Sequence, residues 1–227
     1  MGDKVMFRDN FKSRLATVFG APVQSGHDVK TGPLFADYLI HDMRMLIFKK
    51  PQDHEHVHWC HQAGYYTLVL DDGSDDANID RAIRWSNTVY WTSHNRHRWS
   101  LHSPQKFGDV GYDIAAANAV VIEPHKAELV SSGIHLEMPP TLYGWLTPRS
   151  STARKMLMMP NGILDAGYRG ELFAYLFNMT DETIRIDAGD RIMQVIFQRR
   201  HNTDAHFVTG FEWPTDRGEN GFGSTGV

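Results

Sequence analysis

From about Trp99 onward the chain is cut into short apolar segments by Pro, Gly and Asp: "AVVIEP", "AELVSSGIHLEMPP", "LYGWLTPR", "ELFAYLFN" and "TIRIDAGDRIMQVIF". Ile184 and Ile186 alternate with Thr183, Arg185 and Asp187, the period of a half-buried strand. Many short strands with turn residues between them predict a β-sandwich or barrel. This half is therefore mainly β, and the boundary before it falls between Thr92 and Lys106.

Residues 1–96 read differently, as an α+β extension. "DNFKSRLATVFG" places Phe11, Leu15 and Val18 on one helical face before Gly20 and Pro22 stop it. "MRMLIF" and "YYTLVL" are short buried strands, and Asp71-Asp72-Gly73 is a turn. "DDANIDRAIRWSNTVYW" predicts a helix with an Asp cap and with Ile79, Ile83 and Tyr90 on one side. The division is thus 1–96 and 97–227, with a C-terminal arm at 214–227. A net charge of −4 argues against a general nucleic-acid coat. A single Cys forbids an internal disulfide and fits a reducing compartment. No apolar run approaches the length of a membrane span, and "MGDKVMFRDNFKSR" lacks a secretory core. A cytoplasmic protein with no membrane partner is expected.

The arm ends in "RGENGFGSTGV". Gly-rich ends are commonly uninformative. Here the glycines are spaced by polar residues, and Ser224-Thr225 bring two hydroxyls and free N–H groups that can wrap an anion. Arg217 adds a planar phosphate-binding fork, and Phe222 is a ring suited to stacking. Together they describe a lid over a nucleotide.

Five stretches occur in order: "GYDIAA" from Gly111, "PRSS" from Pro148, "GILDAGYRGEL" from Gly162, "GDRIMQVIF" from Gly189 and "RGENGFGSTG" from Arg217. The set resembles the ordered motifs of the trimeric dUTPase family over about residues 105–227. The resemblance implies a jelly-roll β-barrel or sandwich and a homotrimer with active sites shared between subunits. It also implies Mg²⁺ and hydrolysis of dUTP to dUMP and pyrophosphate, which limits uracil in DNA and supplies dUMP. Such a reaction needs a base for water, donors for phosphate charge and a metal to align the chain. The resemblance makes Asp165 the general base; from the residues alone it reads as the end of a strand entering a hairpin, or as an Asx-turn. Tyr168 would lie under the deoxyribose and leave no room for a 2′-hydroxyl; otherwise it is a core Tyr. The backbone around Asn161, Gly162 and Ile163 would read uracil. Arg149, Ser150, Ser151 and Gln194 would contact phosphates; a surface turn is the plain reading of the first three. Asp113 would serve the metal through water, or pair with an Arg. Arg217 would reach the γ-phosphate and Phe222 would stack on uracil. Gly221, Gly223, Ser224 and Thr225 would cradle the terminal phosphates.

Two other functions share the pattern. A dCTP deaminase-like enzyme uses the same fold and a stretch like "PRSSTAR", but needs a Glu where this chain has Tyr175. A dUTP-sensing regulatory binding protein would need the same pocket. The extension resembles nothing known to us. "HEHVHWCH" would put His54, His56, His58 and Cys60 on one face of a strand. That line is too spread for one ion, so an exposed or subunit-contact cluster is expected rather than a Zn²⁺ site. "RWSNTVYWTSHNRHRW" mixes Arg with aromatic rings, as single-strand binders do. The acidic "DDGSDDANID" before it, and a first hundred residues balanced in charge, favour packing or a protein partner over direct nucleic-acid contact.

Overall fold

A computed structural model describes residues 3–25, 36–49, 54–71, 73–93, 101–201, 203–210 and 215. The extension opens with helix α1 (Asp3–Phe19). Its Phe11, Leu15 and Phe19 are buried at four-residue spacing, one stripe of a helix. Val18, expected on that stripe, is only half-buried, because Phe19 completes the spacing.

Strands β1 (Gln24–Ser25), β2 (Tyr38–Ile40), β3 (Met45–Phe48) and β4 (Tyr66–Val69) form one sheet in that order. β3 and β4 are parallel, so the chain must cross over between them, and helix α2 (His54–Gln62) does so. α1 and helix α3 (Asp75–Ser86) share a core with Met45, Ile47 and Leu68. Leu39, Leu46, Phe48 and Cys60 form a second cluster. Alternate residues of β3 thus face different clusters, as the two-residue period of a strand requires.

The expected strand at "HEHVHWCH" is a helix. Successive residues turn by about 100° there, so the supposed common face of His54, His56, His58 and Cys60 does not form. Cys60 is buried, whereas exposed His58 meets Gln62 at 2.8 Å; the side chains of His54 and His56 lie outside those described. The α3 cap is also not an Asp. Ser74 Oγ accepts from the Ala77 N–H at 3.2 Å, while Asp75 and Asp76 occupy the first turn. Ile79 is buried, but Ile83 is exposed, and Tyr90 belongs to a strand.

The second half is two four-stranded sheets around one core. One has the order β10-β12-β8-β5 and the other β11-β9-β14-β6. The strands are β5 (Tyr90–Ser93), β6 (Gly111–Ala115), β7 (Val120–Ile122), β8 (Ala127–Glu137) and β9 (Leu142–Pro148). After the short helix α4 (Ser150–Arg154) come β10 (Leu157–Met158), β11 (Gly162–Leu164), β12 (Glu171–Asn178), β13 (Ile184–Ile186) and β14 (Arg191–Arg199). β13 pairs with β7 as a separate ribbon. In β12, Leu172, Ala174 and Leu176 point inward, while Phe173 and Tyr175 point out. Val130, Ile134 and Leu176 from one sheet meet Ile114, Leu146 and Val195 from the other.

β5 lies on the N-terminal side of the 96/97 division, yet it hydrogen-bonds to β8 as an edge strand of the sandwich, with Trp91 opposite Leu136. Other contacts tie the extension down. Thr141 Oγ1 donates to the Ser86 carbonyl at 2.6 Å in a buried setting. Arg199 donates to the Val18 carbonyl at 3.1 Å and to Asn87 Oδ1 at 3.2 Å. Arg200 reaches the Asp42 carbonyl at 3.2 Å.

Candidate active site

β6, β14 and β9 lie side by side, and their register aligns Asp113, Gln194 and Thr147 across three strands. Pro148 ends β9, and Arg149 then caps α4 with extended backbone. The Arg149 side chain folds back over the sheet end. Its Nε donates to Asp113 Oδ1 at 2.7 Å, and one terminal nitrogen donates to Ser151 Oγ at 3.1 Å. Arg191 approaches from β14 and donates to Asp113 Oδ2 at 3.2 Å. Asp113, with a side chain only 16% exposed, therefore has both oxygens engaged by arginines. Of the two readings of Asp113, pairing with Arg describes its direct contacts.

Gln194 Nε2 donates to the Pro148 carbonyl at 3.3 Å. Its Oε1 lies 2.0 Å from where a Cβ on Gly111 would stand; only glycine allows the amide to lie there. Thr152 Oγ1 donates to the Ile192 carbonyl at 2.8 Å, fixing α4 to β14. The result is a cleft of about 240 Å³ lined by Arg149, Ser151, Thr152, Lys155, Asp190 and Arg191. Arg149, Lys155 and Arg191 face Asp190 there, and Asp113 already pairs with both arginines, so the cluster keeps a small net positive charge suited to an anion. Ser150 is exposed at the start of α4. His102 bridges Asp113 through both backbone groups, at 3.0 Å each. Burial pushes its imidazole below the ordinary range and the Arg191 charge adds to this, while Asp113 opposes it. Sequence reasoning had assigned no role to Arg191 or His102. The signal for Arg191 was its place directly before the alternating apolar run of β14.

The Asp165 segment stands elsewhere. Leu164 pairs with Gly144, so Asp165 emerges near the start of β9, whereas Arg149 follows its end. The residues between span on the order of 16 Å of strand. Asp165 is exposed, and its carboxylate has no hydrogen bond among the described residues. The Tyr168 N–H donates to the Asp165 carbonyl at 3.0 Å, closing a turn, but not the hairpin expected. β11 pairs with β9 and β12 with β8, in different sheets. Neither Ala166 nor Gly167 has a positive φ, and turns without one splay the flanking strands.

Tyr168 is held from below. Its hydroxyl donates to the Glu171 carbonyl at 2.9 Å, and a Cβ on Gly170 would fall 2.3 Å from that hydroxyl oxygen. The Glu171 carboxylate accepts from Ser131 Oγ and from the Gly133 N–H, the latter at 2.8 Å. Asn161 and Ile163 are exposed and Gly162 is half-buried. β11 is an edge strand, so its outward N–H and C=O groups have no strand partner. Arg217, Gly221, Phe222, Gly223, Ser224 and Thr225 lie outside the described residues.

The family model described as dUTPase matches residues 97–226. The chain belongs to the dUTPase family. A Frog virus 3 protein named for deoxyuridine 5′-triphosphate nucleotidohydrolase is 40% identical over 121 residues, covering 53% of this chain and 73% of that protein. The deoxyuridine 5′-triphosphate nucleotidohydrolase of Monkeypox virus is 37% identical over 123 residues, or 54% and 81% of the two chains. Among solved structures, a mutant dUTPase of Staphylococcus bacteriophage 80alpha with dUpNHpp superposes with a TM-score of 0.58 at 27% identity, covering 62% of this chain and 99% of that one. The dUTPase of phage phi11 of S. aureus, solved as a mutant that reveals coordination of a structural Mg(II) ion, has 23% identity and a TM-score of 0.52; that likeness is one of fold.

Proposed function

We propose that the protein hydrolyses dUTP to dUMP and pyrophosphate. The observation that carries this is the cationic cleft of Arg149, Lys155 and Arg191, built from two motifs of a dUTPase-family domain. Phosphoryl transfer is mostly positioning and charge stabilisation, and the cleft offers both to a triphosphate. Arg149 Nη2, which has no partner among the described residues, is a donor ready for phosphate oxygen. Asp165 supplies an accessible carboxylate as general base for water. The unpaired outer edge of β11 offers backbone donors and acceptors to uracil, and the Tyr168 ring offers a flat, apolar floor to the deoxyribose. Mg²⁺, when bound, neutralises and aligns the phosphates. Asp113 fits it only through water, because arginines occupy both carboxylate oxygens.

The chain acts as a homotrimer with shared sites. Two features support this: the separation of Asp165 from the phosphate cleft within one chain, and an outward apolar face on β8 and β12. There Leu129, 57% exposed, lies opposite Tyr175, 53% exposed. Tyr175 also occupies the position where a deaminase would carry its Glu. The arm residues Arg217 to Thr225 would close over the nucleotide. A reducing, cytoplasmic setting fits the single buried Cys60, and no helix among the described residues is long and apolar enough to cross a membrane.

Purified protein with Mg²⁺ is to be given dUTP, dCTP, dTTP and UTP in turn. Release of dUMP and pyrophosphate from dUTP is expected, at a rate lowered about a hundredfold or more by Asp165→Asn. Ammonia from dCTP, or no dUMP from dUTP, would sink the proposal.

A further inference from the structure

Arg169 follows the turn that carries Asp165 and folds back over it. One of its terminal nitrogens donates to the Ala166 carbonyl at 2.7 Å and to the Tyr168 carbonyl at 3.1 Å. The backbone of Arg169 is fastened in turn to β8. His135 Nδ1 meets the Arg169 carbonyl at 3.0 Å, and since a carbonyl only accepts, that nitrogen carries the proton. His135 stands in the middle of a three-strand row, between Thr92 of β5 and Glu171 of β12. Glu137, two residues on and on the same face, lies 3.7 Å from the other terminal nitrogen of Arg169.

No hydrogen bond among the described residues holds the Asp165 carboxylate, so the backbone of the turn sets its direction. The Tyr168 N–H closes the turn on the Asp165 carbonyl, and Ala166 packs on the sandwich core. Neither contact ties down the carbonyls of Ala166 and Tyr168; the Arg169 guanidinium does, with charge-assisted bonds. Those two peptide planes stand before and after the Gly167–Tyr168 peptide, so fixing them holds the shape of the turn. The pair with Glu137 is long, and its side chains are 44% and 59% exposed, so it contributes little beside the carbonyl bonds. A base displaced by about 1 Å can lose on the order of a hundredfold in rate.

We propose that Arg169 is a positioning residue: anchored to His135 through its own carbonyl, it clasps the Asp165–Tyr168 turn and so sets where the general base points. This rests on the reading of the protein as a dUTP hydrolase. β5 pairs with β8 at the same two residues, Thr92 with His135 and Tyr90 with Glu137, and so steadies the base of the clasp. The Tyr168 ring has its own tie to the Glu171 carbonyl, so the preference for the deoxy sugar does not depend on Arg169.

The test uses the full-length chain. Arg169→Met, which keeps much of the side chain and removes the donors, should lower kcat for dUTP about tenfold with KM and the dUTP-to-UTP preference little changed. Exchange of the Tyr168 amide, whose bond closes the turn, should speed up about tenfold or more while that of β9 holds. Arg169→Lys, whose ammonium can still reach a carbonyl, should recover part of both. His135→Leu takes the donor from the Arg169 carbonyl and should lower kcat about two- to threefold. Glu137→Gln removes only the long ion pair and should stay within about twofold of native kcat. Native kcat and native Tyr168 exchange in Arg169→Met would overturn the proposal. So would a rise in KM with kcat intact, since Arg169 would then bind substrate directly. A loss of kcat in Glu137→Gln equal to that of Arg169→Met would overturn it too, since charge and not the carbonyl bonds would matter. If Arg169→Met fails to fold, Arg169→Gln, too short to span both carbonyls, is judged by the same two measurements. If wild-type protein does not turn over dUTP, the exchange measurement still decides the clasp, and only the catalytic reading falls.

Discussion

At the residue scale, the site is set by small groups beneath large ones. Tyr168 can lie flat because Gly170 has no side chain, and its hydroxyl is tied to the backbone of Glu171. Gly170→Ala would put a methyl carbon within 3 Å of the Tyr168 hydroxyl oxygen and two of its ring carbons, so the ring must tilt. With Tyr168 as the proposed floor for the deoxyribose, we expect kcat/KM for dUTP to fall about tenfold, roughly 1.4 kcal/mol, and the preference for dUTP over UTP to narrow. Steady-state kinetics with both nucleotides checks this. An unchanged preference would show that the ring plane does not select the sugar. None of this support was legible in "YRGE", since it depends on how a side chain folds over its own turn. Asp113, Arg149 and Asp165 could be singled out as candidates from the sequence, because they sit in stretches whose order and spacing are distinctive.

At the level of elements, the strands of the sandwich were legible because alternation of apolar and polar residues carries over directly to facing in and out. β8, β9, β12 and β14 arise within the stretches that predicted them. The failures have local causes. α2 carries few apolar residues among its histidines, so its period was obscured. β5 was absorbed into the helix before it because its aromatic residues continue the spacing of α3. The turn after Asp165 has hairpin composition, but its dihedrals send the chain to the other sheet. The outward face of β12 yields a prediction of its own. Tyr175→Glu would place a charge in the middle of the apolar face of Leu129, Phe173 and Tyr175, far from the inward core. Sedimentation should show trimer for the parent and monomer for the variant, with cooperative unfolding retained; a trimeric variant would move the subunit interface elsewhere.

On the scale of the whole molecule, a cut at residue 96 would sever contacts between the extension and the sandwich. That cut removes β5 from the edge of β8 and takes away Ser86, whose carbonyl accepts the buried Thr141 hydroxyl. A buried hydroxyl left without its partner costs about 1–3 kcal/mol, and the loss of β5 adds to it. A chain starting at residue 97 should therefore be less soluble and melt at least several degrees below full-length protein, as thermal denaturation would show. A 97–227 fragment with the Tm of the full chain would mean that β5 and the extension add nothing to the sandwich.

The pairing of β5 with β8 also has a consequence for how the chain comes off the ribosome. Trp91 must wait for Leu136, its partner in register, some forty-five residues later. At about 5–20 residues per second, the edge with Tyr90 and Trp91 stays unmatched for roughly 2–9 s of synthesis. During that interval it is a bare strand carrying two exposed rings, the kind of segment that chaperones hold and that neighbouring nascent chains can capture. Slower translation between the codons for Ser93 and Glu137 would lengthen the exposure. The yield of soluble protein should therefore depend on the pace of that one stretch of message more than on the pace of the rest.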